Sequence, residues 1–86
     1  MFYNIKSVVP LDDFILSIEF QNSEWKRYDV KQLFDKWDDF KALTQNELFK
    51  YAKVDIGGYA IVWNDDLDIS CNELWENGYK NRSSDL

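Results

Sequence analysis

The segment from Phe14 to Phe20 constrains the fold more than any other. Phe14, Leu16, Ile18 and Phe20 alternate with Ile15, Ser17 and Glu19. A period of two fits a strand with one buried face and does not fit a helix. Neighbouring segments extend the pattern. Ile5 to Pro10 is short and β-branched, and Pro10, Leu11, Asp12 and Asp13 then carry turn chemistry. Gln21 to Glu24 is a polar turn. Trp25 to Val30 reads as a third strand, with Lys26, Tyr28 and Val30 opposite Trp25, Arg27 and Asp29. Three strands joined by short links predict an antiparallel meander.

The middle of the chain changes period. Asp29 followed by Gln32 resembles a capping box, and Val30, Leu33, Phe34 and Trp37 recur at helical spacing until Asp38 and Asp39 interrupt them. Thr44-Gln45-Asn46-Glu47 is a second box, opening a short helix that carries Leu48, Phe49 and Ala52. Lys53 to Ile56 and Tyr59 to Trp63 return to strand around Gly57-Gly58, where glycine permits a tight turn. Ser70-Cys71-Asn72-Glu73 starts a last helix through Leu74 and Trp75, stopped by Gly78. The fold class is therefore α+β: a small, mostly antiparallel curved sheet, made of a three-strand N-terminal meander plus C-terminal strands, with two or three short helices. Residues 1–78 form a single domain, and residues 79–86 form a polar tail expected to fray. The core is expected to hold Phe14, Leu16, Ile18, Phe20, Leu48, Phe49, Ile61, Trp63 and Leu74.

A chain of 86 residues supports one core, and its four Trp, five Tyr and six Phe supply the apolar area. Ten basic residues against 16 acidic ones leave a net charge of −6, which opposes direct contact with nucleic-acid phosphates or an anionic membrane surface. The single cysteine excludes an internal disulfide. No apolar run has transmembrane length and no signal-peptide pattern opens the chain, so a cytoplasmic location is expected.

Catalytic chemistry finds little footing. Histidine is absent, which removes the commonest general base and every Ser-His-Asp or Cys-His arrangement. Cys71, in the first turn of the last helix, could be a reactive thiolate; without a base or a resolving cysteine it reads as apolar filling. Asn64, Asp66 and Asp68 copy the start of a calcium loop, but Ile69 and Trp75 stand where glycine and the closing glutamate are required. No divalent-ion site is expected at Asp65, Asp66 and Asp68, and no cofactor. Gly57-Gly58 lacks the glycine pattern and the Lys of a phosphate loop. The pairs Asp12-Asp13 and Asp38-Asp39 read as turns, since adjacent carboxylates rarely face each other across a substrate.

Aromatic residues offer another possibility, recognition. Trp63 and Trp75 lie on apolar faces and read as packing. Trp25 neighbours a polar turn and shares a strand face with Arg27, and Trp and Arg are favoured interface anchors. Two readings stay open at Trp25. In one, Trp25 and Arg27 lie on a surface used for a protein partner or a second copy, by strand addition if this strand is a sheet edge. In the other, Trp25 packs under the helix containing Leu33 and Trp37, and Arg27 is simply solvated.

An ordered set of landmarks carries a family resemblance. Ser7-Val8-Val9-Pro10-Leu11-Asp12-Asp13-Phe14 precedes Leu16, Ile18 and Phe20; Tyr28-Asp29-Val30 precedes Glu47-Leu48-Phe49; Val54-Asp55 and Gly57-Gly58 precede Ile61-Val62-Trp63, Asp68-Ile69-Ser70 and Leu74-Trp75. Over about residues 5–78 the chain resembles the bacterial domain-of-unknown-function 2442 family. It departs at Ser23, where the family's hairpin has Gly, at Asn64, where Pro follows the Trp, and at Trp75, which replaces Tyr. These touch turns and packing. The resemblance implies a small α+β domain with a curved sheet and no established activity, cofactor or catalytic residue. Some relatives carry a C-terminal helix-turn-helix domain, for which this sequence leaves no room. Others are encoded beside a second small protein in a toxin–antitoxin-like arrangement. The leading expectation is a non-enzymatic protein-interaction module, the partner or neutraliser of another small bacterial protein. The alternatives are a small-molecule-binding accessory domain and, more weakly, an acidic inhibitor that mimics nucleic acid.

Overall fold

The computed structural model describes residues 3–45, 47–64 and 66–80. The alternating segment forms β2 (Ile15–Phe20), between β1 (Ile5–Pro10) and β3 (Trp25–Asp29). Both pairings are antiparallel, as the meander requires. Leu16, Ile18 and Phe20 are fully buried, and Leu16 pairs with the equally buried Tyr28. Phe14 does not join the strand. Asp12–Phe14 is a 3-10 turn in which Asp13 and Phe14 take φ of 63° and 60°. The Phe14 ring still meets Phe34 and Phe49 edge-on, with centroids 5.5 and 5.3 Å away, and is partly buried.

The middle of the chain differs most from expectation. Its helices are 3-10 turns over Val30–Leu33, Asp38–Thr44 and Leu48–Tyr51. Asp29 does cap the first, but its carboxylate accepts from the Lys31 amide at 2.9 Å, and the Gln32 side chain donates to the Asp29 carbonyl. With about three residues per turn, positions spaced for an α-helix no longer share a face. Val30 and Leu33 are buried, whereas Trp37 is 56% exposed. The box at Thr44–Glu47 does not form. Thr44 donates back to the Lys41 carbonyl at 2.7 Å, and Glu47 is left-handed and pairs with Lys50. Asn46 lies outside the described residues.

β4 (Lys53–Val54), β5 (Ala60–Asn64) and β6 (Leu67–Ser70) form a second antiparallel sheet in that order. Two sheets therefore replace the single curved sheet expected. They adjoin at the N-terminal end of β1, where the Asn4 amide donates to the Gly57 carbonyl at 2.7 Å. Gly58, at φ 77°, passes so close that a Cβ would stand 2.4 Å from the Ile5 carbonyl oxygen. The two sheets thus lie backbone against backbone at this point. β6 is a strand the sequence reading passed over; it buries Leu67 and Ile69 and exposes Asp68 and Ser70.

The α-helix α1 (Cys71–Asn77) begins where expected, with the Ser70 hydroxyl accepting from the Glu73 amide at 3.1 Å. Past it, β7 (Tyr79–Lys80) pairs antiparallel with β3, so the first sheet runs β1-β2-β3-β7. Tyr79 and Lys80, placed by the sequence in the polar tail, thus take part in the sheet; residues 81–86 lie outside the described residues. Gly78 makes the return possible, since a Cβ there would lie 2.5 Å from the Leu74 carbonyl and 3.0 Å from that of Arg27. One core spans both sheets. Leu16, Ile18, Phe20, Phe49, Ile61, Trp63 and Leu74 are buried as expected, while Phe14 and Leu48 are partly buried.

Candidate interaction face

Strand alternation gives the four-stranded sheet two unlike faces. The inner face carries Leu16, Ile18 and Tyr28, and α1 packs over it. Tyr28 Oη donates to Glu73 Oε2 at 2.7 Å, and the Lys26 ammonium donates to the Trp75 carbonyl while standing 4.1 Å from the Trp75 ring centroid. Burial, followed by the bond to Glu73, pushes the Tyr28 phenol pKa well above its ordinary value.

The outer face is different. The register sets Val9 opposite Ser17, Ser17 opposite Arg27, and Arg27 opposite Tyr79, one row across all four strands. Trp25 sits on the same face opposite Glu19. Val9, Trp25 and Tyr79 are exposed, whereas Ser17 between them is buried. Trp25 and Arg27, the interface residues expected from the sequence, thus share a face. Trp25 is 39% exposed and stays outside the core that takes up Leu33.

The strand that bears them is no open edge. β7 pairs with β3 at Lys26 and Arg27, so the edges belong to β1 and β7. β1 carries Pro10 and a register irregularity between Ile5 and Ser7; β7 spans two residues and carries Lys80. Such features discourage strand addition and leave the face as the accessible surface. Arg27 lies half-buried there. Among the described residues its Nε is buried without a hydrogen-bond partner. Beside it is an open hollow of about 450 Å³ lined by Pro10, Leu11, Asp12 and Ile15. Sequence reasoning missed Val9 and Tyr79. An aromatic directly after the helix-stopping Gly78 was the one available signal of a returning strand.

The remaining candidates resolve into structure. Asn64 Oδ1 accepts from the amides of Asp66 and Leu67 at 2.8 and 3.0 Å, which builds the turn into β6. Asp65 lies outside the described residues, among which no three His, Cys, Asp or Glu converge as metal ligands. Cys71 is a buried free thiol. Asp13 pairs with Lys31 at 3.1 Å and Asp38 with Lys41 at 3.6 Å. Among the described residues no helix is long and apolar enough to cross a membrane.

A family model described as "Protein of unknown function (DUF2442)" matches residues 5–80. No match is found among curated proteins. Among solved structures, the chain is similar to the Nitrosomonas europaea ATCC 19718 protein named "Putative DNA Binding Protein NE0471", with a TM-score of 0.65 and 21% identity. The match covers 76% of this chain and 42% of that one, so this chain corresponds to less than half of its neighbour. At that identity the likeness shows the shared fold.

Proposed function

The chain belongs to the DUF2442 family, and we propose that it is a non-enzymatic protein-interaction module that engages a partner through the outer face of its four-stranded sheet. The observation that carries this reading is the cross-strand row from Val9 to Tyr79, with Trp25 beside it, on a face opposite the one α1 covers. Large aromatics and arginine are the side chains that most often anchor interfaces, and Val9, Trp25 and Tyr79 are exposed on this face around the half-buried Arg27. A partner of matching form presents an apolar surface with a carboxylate or carbonyl aimed at Arg27. The lack of histidine in 86 residues supports binding over catalysis. The net charge of −6 favours a protein over a nucleic acid at this face.

The test is the double variant Trp25→Ala with Arg27→Ala, compared with the wild type for thermal stability, oligomeric mass and defined co-purifying proteins. Lost association with an unchanged fold is expected. Undiminished association, or a DNA duplex that binds at Trp25 and Tyr79, overturns the reading.

A further inference from the structure

A second surface lies away from the sheet face, between the Asp38–Thr44 turn and the junction of β6 with α1. It is a groove of about 340 Å³ whose apolar wall is Leu33, Trp37, Phe40 and Ile69. Trp37 is 56% exposed, and its ring centroid is 6.4 Å from that of Phe40, which is almost buried. Three carboxylates, Asp39, Asp66 and Asp68, line the same groove, and no Lys or Arg does. None of the three is ion-paired among the described residues, and neither are Asp12, Asp35, Asp55 and Glu76 elsewhere, so what distinguishes the groove is that its carboxylates converge beside an exposed indole. Glu73, also at the groove, already accepts from Tyr28. Through Asp39 and Asp66 the groove continues into a second hollow of about 570 Å³ along Ala42, Asn64 and Leu67, where Lys41 is held by its ion pair with Asp38.

We propose that this groove takes an extended basic segment of a protein partner, whose arginine or lysine stems lie on the exposed ring of Trp37 while their charged heads meet Asp39, Asp66 and Asp68. Long cationic side chains suit such a site because the methylenes bury against apolar surface while the head stays polar. An exposed indole adds cation–π attraction. Unpaired carboxylates make the potential of the groove negative, in keeping with the net charge of −6, and steer a basic partner toward it. The continuation past Asp66 gives the groove the length of a peptide rather than of a single ion. It is separate from the outer sheet face, whose charged side chains beside Trp25 include Arg27. The proposal rests on reading the chain as an interaction module but uses a separate surface, so the two fail separately.

The experiment titrates the full chain with a short peptide of alternating leucine and arginine, with its leucine–glutamate counterpart, and with magnesium chloride. Affinity comes from calorimetry and location from amide shifts. The basic peptide is expected to bind and to shift Trp37 and Ile69, while the acidic peptide does not bind. Replacing Asp39, Asp66 and Asp68 by Asn should weaken the basic peptide about tenfold or more. Trp37→Ala should weaken it as well without lowering thermal stability, since that side chain stands outside the core. The Trp25→Ala, Arg27→Ala protein should bind the peptide as the wild type does. Equal affinity for the Asn variant, indifference to Trp37→Ala, shifts centred on Trp25 and Tyr79, or magnesium reproducing the peptide's shifts would each overturn the proposal.

Discussion

Trp63 combines packing with a buried polar anchor. Its indole N–H donates to the Phe49 carbonyl at 3.0 Å, its ring stacks on Phe49, and Phe40 meets it edge-on at 6.4 Å. Trp63→Ala removes the ring and orphans a carbonyl, and should cost about 3–5 kcal/mol in urea denaturation. A near-unchanged midpoint would contradict this account of the core. Tyr28 gives a residue-level prediction of a different kind. Its phenol ionises less readily in the folded chain than in the unfolded one, chiefly because it is buried and then because it donates to Glu73. The folded state therefore holds its proton where the unfolded state has released it, and stability must fall as pH rises. The contribution is complete below about pH 10 and declines above it, where a free tyrosine ionises. Denaturation midpoints measured from neutral to alkaline pH should show this fall in the wild type and a smaller one in Tyr28→Phe.

Among the elements, the 3-10 turns and the glycine turn decide how the strands are delivered to each other. Gly57 and Gly58 both have positive φ, yet they differ in what surrounds them. A Cβ at Gly57 would meet the ring of Tyr59, an exposed side chain with room to move. At Gly58 it would meet the backbone of β1, which cannot yield without opening the contact between the sheets. Both substitutions carry the left-handed backbone cost of roughly 1–2 kcal/mol. Gly58→Ala should lose clearly more stability than Gly57→Ala in parallel denaturation curves. Equal losses would mean that only the backbone conformation matters. The two-residue β7 matters out of proportion to its length, because it pairs with β3 at Lys26 and Arg27 and so removes that strand from the sheet edge.

At the scale of the whole molecule, the chain segregates its chemistry. One core runs through both sheets, the sheet face opposite α1 shows aromatic residues and Arg27, and the groove beside Trp37 gathers unpaired carboxylates. An acidic chain could have spread its charge evenly for solubility. Among the described carboxylates without an ion pair, Asp39, Asp66, Asp68 and Glu73 line the groove, while Asp12, Asp35, Asp55 and Glu76 are spread over the rest of the surface.

By itself the sequence determined the elements whose signals are local. The period of two gave β2 and its neighbours, because alternate side chains of a strand must face one side. Ser70 gave the start of α1, because its hydroxyl satisfies an amide that helix geometry leaves unpaired. It also placed Trp25 and Arg27 on one strand face, since two residues apart is one full strand period. What it could not determine was whatever depends on partners distant in the chain. The spacing of Val30, Leu33, Phe34 and Trp37 fits an α-helix, but the chain takes 3-10 turns and turns Trp37 outward to line the groove. Tyr79 and Lys80 offer only a single aromatic as strand signal and become β7 by pairing with β3. The groove draws Trp37, Asp39, Asp66 and Asp68 from segments far apart in the sequence. No local pattern encodes that meeting; the packing of the second sheet and α1 against the common core brings it about.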